Sequence, residues 1–275
     1  MTAKNLSEVL KKANKHNYAI AGLVVLGWED AFAFTEAAEE TGIPIILQAG
    51  PNCRKHTPIP ILGKMFRHLA EQTKVPIVCH LDHGYTEREC LEGIDNGFTS
   101  VMFDGSKLPL KDNIKKTLYI VQKAKKAKVS VEGEVGFVGY KNVLSKMSKP
   151  EDVKIFADFS GVSAIAISVG NTHLQTSKIA KIDIKKIIKI QSKTKIPLVI
   201  HGGSGISYNT RKRIARTTNV AKFNIGTELR VLFGKNIRKN LNKNKEIFDR
   251  IEILKPTINE TKKLAKKIIL NIGPK

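Results

Sequence analysis

The sequence predicts an α/β protein of the (βα)8 TIM barrel class with a helical C-terminal extension, and three observations carry that expectation. Short apolar or β-branched runs recur along the chain, each too short to be a helix of its own. Each is followed by a longer amphipathic stretch rich in lysine and glutamate. The polar residues inside the runs fall late, where a parallel barrel gathers its strand ends around one mouth. Eight runs can be counted, at residues 18–25, 44–50, 76–83, 100–106, 129–136, 164–170, 197–203 and 222–228. Their starts lie roughly 24 to 35 residues apart, room for one helix and two loops, as right-handed parallel crossovers require.

Taken in order, the first run is apolar from Tyr18 to Val25, and the second opens on the turn signal Gly42-Ile43-Pro44. Val75-Pro76 precedes the third run and Ile196-Pro197 the seventh; proline at a first strand position removes no ladder bond. The third run ends in His80, Asp82 and His83, the fourth carries Asp104, and the fifth carries Glu132 and Glu134. His173 lies just past the sixth run, His201 ends the apolar part of the seventh, and the eighth carries Asn224 and Thr227. No linker or low-complexity segment separates these units, so residues 1–275 read as a single TIM-barrel domain. Beyond Glu228 the sequence reads as lysine-rich helix to Pro274, closing the barrel and adding the extension. An open doubly wound sheet is the rival architecture.

Composition narrows the function classes. Hydrophobic residues make up 41% of 275, yet no apolar run reaches the roughly 18 to 20 residues of a membrane span. The start is polar and lacks the apolar stretch and cleavage site of a secretory signal, so a cytoplasmic protein without membrane association is expected. The three cysteines, Cys53, Cys79 and Cys90, form no C-x-x-C pair and fit a reducing compartment. Lysine and arginine outnumber acids 47 to 25, a formal charge of +22, which favours anionic partners. The densest basic stretches, 178–195, 235–245 and 262–267, have roughly helical spacing and read as solvated helix faces. Nucleic-acid binding would call for basic residues interleaved with aromatics, which are 6% of the chain, and no such partner is expected.

Three imidazoles arriving at one mouth, from His83, His173 and His201, match a catalytic zinc site with a coordination position left open. Such an ion polarises a carbonyl or hydroxyketone oxygen and favours an enediolate. Asp82, one residue before His83, would reach the reacting oxygen as general acid and base. His80 reads as a buried polar residue with a satisfied partner, and His16, His56 and His68 have no such context. His201-Gly202-Gly203-Ser204-Gly205 directly follows a strand and offers unhindered backbone N–H groups and a hydroxyl, as a phosphate cradle requires. Asn224-Ile225-Gly226-Thr227 occupies the loop after the eighth strand, the other customary phosphate position of such a barrel.

These residues resemble the class II, metal-dependent ketose-bisphosphate aldolases, which act on fructose or tagatose 1,6-bisphosphate. The resemblance rests on residues 75–84, with His80-Leu81-Asp82-His83-Gly84, on 100–106, 131–136 and 197–206, and on Ala221-Lys222-Phe223-Asn224. It implies that Asp82 is the proton donor and acceptor and that His83, His173 and His201 hold the zinc. It further implies that Asp104 and Glu134 belong to a second or alternative divalent position near His83; orienting the histidines is the other role open to them. Leu174, Gly202, Gly203, Ser204, Asn224, Ile225, Gly226 and Thr227 would bind the dihydroxyacetone phosphate half, beside a monovalent cation, Na+ or K+. A homodimer or homotetramer is implied as well.

Several positions depart from the family pattern. Val24 and Gly50 replace an asparagine and a serine, Leu174 and Gly226 replace a glycine and an aspartate, and Gly139-Tyr140-Lys141-Asn142 brings no carboxylate to the loop that usually carries one. Ile251 stands where an arginine reaches the distal phosphate, which leaves Arg250 and Lys141 as candidates for that contact. The expectation is a lyase joining or parting dihydroxyacetone phosphate and an atypical aldehyde. A phosphosugar epimerase or isomerase using the same metal enediolate, and a non-catalytic basic barrel that binds nucleic acid, are the alternatives.

Overall fold

The computed structural model describes residues 2–140, 143 and 145–274. The eight strands are β1 (Ile20–Val24), β2 (Ile45–Ala49), β3 (Ile77–Gly84), β4 (Ser100–Phe103), β5 (Ser130–Val135), β6 (Ala164–Ile167), β7 (Leu198–Ile200) and β8 (Val220–Ile225). They are all parallel and close into a barrel in sequence order, with β8 pairing back onto β1 through Gly22 and Asn224. Closure excludes the open sheet, and each expected run holds one strand. The eighth run needs a correction of register: Val220 and Ala221 already belong to the strand, and Thr227 and Glu228 belong to the helix after it.

Helix α1 (Leu6–Lys15) precedes the barrel and closes its base. Asn5 caps it by accepting from the Glu8 N–H at 3.0 Å, and Leu6, Val9, Leu10 and Ala13 recur on one face. That face packs with Ile20, Ile46, Val78, Met102, Ala166 and Val199 in the barrel interior. Each fully buried leucine of this plug contributes about 1.5–3 kcal/mol. The base is thereby filled with hydrocarbon, and polar side chains are left to the opposite pole.

Helices α2 (Trp28–Thr41), α3 (Pro51–His56), α4 (Ile59–Gln72), α5 (Glu87–Asp95), α6 (Leu110–Lys126), α7 (Pro150–Ser160), α8 (Ile184–Gln191) and α9 (Tyr208–Thr217) fill the crossovers. The extension consists of α10 (Thr227–Lys243), α11 (Arg250–Leu254) and α12 (Thr257–Ile272). Helix α12 buries Ala265, Ile268, Ile269 and Ile272, packs on α2, and its Ile272 carbonyl accepts from the Ala19 N–H at 2.9 Å, completing the outer ring.

Two of the three basic stretches are helix faces, on α10 and α12. The first is helical only from Ile184 to Gln191. Upstream, the Ala180 N–H bonds to the Gly205 carbonyl, and Gly170, at φ +100°, lies against the Lys181 carbonyl, so the backbone spends its hydrogen bonds on neighbouring loops. Among the described residues no helix is long and apolar enough to cross a membrane, and the three cysteines are free and buried.

Candidate active site

The polar pole is assembled from side chains two apart on three strands: His80 and Asp82 on β3, Glu132 and Glu134 on β5, Lys222 and Asn224 on β8. A strand period of two sends both members of each pair to the same side of the sheet, here the interior. All six are buried, and His80, Asp82, Glu132, Lys222 and Asn224 pair among themselves instead of with water. Glu132 accepts from Lys222 Nζ at 2.6 Å and from His201 Nε2 at 3.1 Å. Lys222 Nζ also lies 3.3 Å from His80 Nε2, while His80 Nδ1 meets Ser100 Oγ at 2.9 Å, so His80 is indeed satisfied.

At the end of β3 the ladder shifts register between Leu81 and Gly84, and His83 takes a left-handed φ of 52°. That conformation is strained for a residue with a Cβ and persists only when its surroundings fix it. The buried Arg54 guanidinium on α3 does so, donating to the carbonyls of Ala49 at 2.6 Å, Asp82 at 2.5 Å and His83 at 2.8 Å. His83 Nδ1 donates to Asp104 at 2.7 Å, and Asp104 also accepts from the Ser106 hydroxyl at 2.6 Å.

The rings of His83, His173 and His201 lie 4.6, 5.2 and 5.7 Å apart between centroids, and each offers a donor atom within 4.8 Å of the others. Their hydrogen bonds fix the tautomers. With Nδ1 of His83 and Nε2 of His201 turned to carboxylates, Nε2 of His83 and Nδ1 of His201 are the nitrogens left to face an ion, and both are buried without a partner. Glu134 Oε2 is a third such atom, 3.7 Å from His201 Nδ1. A buried polar atom left unpaired costs about 1–3 kcal/mol, so three of them converging is a defect in the protein alone and a fit for a divalent cation. His83, Asp104 and Glu134 form a second donor set that shares His83 with the first.

Electrostatics agree with this arrangement. Burial, reinforced by the His83 charge, holds His173 and His201 well below the usual histidine range, which keeps them neutral and able to ligate. Burial also opposes the charged form of His83, but Asp82, Asp104 and Glu134 outweigh it and bring its pKa to about 10, so a cation bound there displaces the Nε2 proton and takes over its interaction with the same carboxylates. Burial and the nearby Asp104 push Glu134 well above the usual carboxylate range. Burial opposes the ionised form of Asp82 too, and the His83 and Lys222 charges overcome it and hold its pKa down.

Asp82 accepts from the Asn224 amide at 3.0 Å and borders a cavity of about 110 Å³ together with His83 and His173. Leu174, Gly202, Ser204, Asn224, Gly226 and Thr227 line the same cavity. Gly203 and Ile225 are buried behind it, where a Cβ on Gly203 would press on the Asn224 carbonyl and the Ile225 side chain. Gly202 sits at φ 64° with no room for a Cβ beside Thr172. Ser204 Oγ accepts from the N–H groups of Gly226 and Glu228 at 3.3 and 3.2 Å, joining the two loops at the N-terminus of α10. Of the two distal candidates, Arg250 lines an adjoining cavity instead of this one, and Lys141 lies outside the described residues.

A family model described as fructose-bisphosphate aldolase class-II matches residues 4–275. The chain belongs to that family. It is 31% identical to the fructose-bisphosphate aldolase of Staphylococcus aureus (strain Mu50) over 282 residues, covering 99% of this chain and 98% of the other. It is 33% identical to a Bacillus licheniformis protein named 6-phospho-5-dehydro-2-deoxy-D-gluconate aldolase, covering 99% and 96%. The crystal structure of the YdjI aldolase from Escherichia coli K12 superposes with a TM-score of 0.88 at 25% identity over 98% and 97% of the chains. As a class II aldolase the chain is a lyase, and relatives of similar identity bear different substrate names.

Several residues of this pole carry no assigned role in the sequence reading. Lys222 stands in an apolar run and Glu132 at a strand end, and their period-two partners Asn224 and Glu134 were a signal that could have found them. Tyr140, stacked on His173 at 5.0 Å, and Arg54 and Arg230, which sit on helices following strands, carry no local signal.

Proposed function

We propose that this aldolase holds a catalytic zinc ion through His83, His173 and His201 and joins or parts dihydroxyacetone phosphate and an aldehyde other than glyceraldehyde 3-phosphate. The carrying observation is the set of unpartnered imidazole nitrogens facing one point with the Asp82 carboxylate beside it. When bound, the ion supplies Lewis-acid polarisation of the ketose oxygens.

In the cleavage direction, Asp82 takes the proton of the C4 hydroxyl, the C3–C4 bond breaks, and its electron pair stays on the donor fragment as an enediolate. The Asn224 amide fixes the Asp82 carboxylate for this transfer. Gly202, Ser204 and Thr227 hold the donor phosphate with backbone and hydroxyl donors at the α10 N-terminus, beside a monovalent cation, and Gly226 lines the subsite while its N–H ties the loop to Ser204. Leu174 walls that subsite, and Gly203 and Ile225 shape it from behind. Because Asp104 occupies Nδ1 of His83, we assign it to orienting that ring, and Glu134 to an alternative ion position. Phe248 and Ile251, 93% and 70% exposed on the extension, support assembly as a dimer or tetramer, and the free buried cysteines support a reducing, cytoplasmic setting.

A coupled assay of triose release from fructose and tagatose 1,6-bisphosphate, before and after chelation, tests the proposal. Metal-dependent release at a rate far below that with a longer-armed ketose monophosphate is expected. Undiminished cleavage in the chelated protein rejects it, and an epimerised product without triose favours an epimerase.

A further inference from the structure

The cavity over Asp82 does not end at the barrel axis. Val24, Leu26 and Arg230 line it and also line a second cavity of about 570 Å³ between the β1–α2 loop and helices α4, α10 and α11. The inner cavity, about 110 Å³, has room for little more than a triose, whereas the outer one falls in the roughly 300–1,000 Å³ range of ligand pockets. Leu62, Met65, Leu229, Phe233 and Leu254 make its walls largely apolar, and Trp28 stands at its edge, 46% exposed.

Arg230 occupies the throat between the two. It leaves the first turn of α10, makes no ion pair among the described residues, and buries its Nε without a partner. Two carboxylates, Glu29 and Asp30, share the outer wall, but neither lies within ion-pair distance of Arg230, and Asp30 Oδ2 is taken by the Leu26 N–H at 3.0 Å. A partly buried guanidinium with donors to spare is matched best by a carboxylate or phosphate held in a bidentate pair. Arg250 adds a second cation to the same cavity.

We infer that the outer cavity is the acceptor subsite of this aldolase and that its aldehyde carries an anionic group a few atoms from the reacting carbon, paired with Arg230, and an apolar body beyond it. This inference rests on the proposed donor, dihydroxyacetone phosphate. The addition balances without any further reagent: donor C3 gives up a proton, its carbon bonds to the aldehyde carbon, and the aldehyde oxygen takes up a proton, so the product is the sum of the two reactants.

The test is the addition reaction of the metal-loaded enzyme with dihydroxyacetone phosphate and four aldehydes. These are 2-benzyl-4-oxobutanoate with both features, 4-oxobutanoate with the anion alone, 4-phenylbutanal with the apolar body alone, and glyceraldehyde 3-phosphate. We expect kcat/KM for the first to exceed that for the second and third by about tenfold or more, the second lacking the buried apolar surface and the third the charge-assisted hydrogen bond. Arg230→Met should erase its advantage over 4-phenylbutanal, Arg230→Lys should restore part of it, and Met65→Trp should shrink its advantage over 4-oxobutanoate. Equal kcat/KM for the three non-phosphorylated aldehydes, or ratios unmoved by Arg230→Met in a variant with an unchanged melting curve, overturns the inference. If no aldehyde yields product with this donor while another ketose phosphate is cleaved, it is the donor assignment that fails.

Discussion

The two sides of the barrel mouth are built on opposite rules. At the ends of β3, β4, β5, β7 and β8, polar side chains are buried and paired: Lys222 with Glu132, Glu132 with His201, Asp104 with His83, Asn224 with Asp82. On the side of β1 and α10 the walls include Val24, Leu26 and Phe233, and two of the charges there, Arg230 and Asp30, have no ionic partner among the described residues. A paired network fixes side chains to within the tolerance chemistry demands, at the cost that no member can be changed alone. An apolar wall binds by shape and tolerates substitution. The difference separates the two tasks of an aldolase, since the reacting atoms need rigid neighbours and the choice of aldehyde needs a replaceable surface.

The largest effects should therefore lie on the paired side. Asp82→Ala is expected to lower turnover about 10²- to 10⁴-fold, the worth of a positioned acid and base, while metal content measured by atomic absorption stays at the wild-type level. Near-normal turnover would remove Asp82 from the mechanism and dissolve the contrast. Glu132→Ala strands the fully buried Lys222 ammonium, so denaturant unfolding should show a loss of about 3–5 kcal/mol. Replacing both partners, Glu132→Leu with Lys222→Met, should recover most of that stability without recovering metal affinity, because His201 still lacks its orienting carboxylate. Recovery of both would mean that the network serves stability alone. Asp104→Asn keeps the volume and weakens the acceptor for His83 Nδ1, and metal affinity by competitive chelator titration should fall about 10- to 100-fold.

The same contrast explains what could be read from residue order alone. The paired side was legible because its residues sit inside strands or one residue past them, where a period of two and a parallel barrel dictate their direction: Asp82, His83, Glu134 and Asn224 lie within β3, β5 and β8, and Asp104 and His201 directly follow β4 and β7. His173 was legible through its neighbours, although it lies past β6 in a loop placed by the hydrogen bond from its N–H to the Gly139 carbonyl. The acceptor side was not legible. Arg230 is one of many cations on an amphipathic helix, and nothing local marks the one whose helix starts at the cavity. Residues 178–183 misled for a related reason: their apolar and basic alternation suits a helix, but the glycine turns at Gly170 and Gly205 take up the backbone first.

The smallest effect sharpens the comparison from the acceptor side. Burial raises Asp30 from an ordinary aspartate value to about 6, with Arg230 opposing the shift only weakly. A carboxyl whose pKa is raised on folding binds its proton more tightly in the native state. Its contribution is therefore full below the unfolded value near pH 4 and is lost as pH climbs through about 6. At neutral pH an ionised Asp30 sits half-buried at a net cost, the reverse of the paired carboxylates across the mouth. Asp30→Asn can keep the bond to the Leu26 N–H through its amide oxygen and should raise stability at pH 7 by on the order of 1–3 kcal/mol. Urea unfolding of the metal-free protein at pH 7 and pH 4 reads this, with the gain vanishing at the lower pH. A gain of the same size at both would show that packing, not an unpaired charge, sets the cost at this position, and the acceptor wall would then follow the same rule as the rest of the barrel.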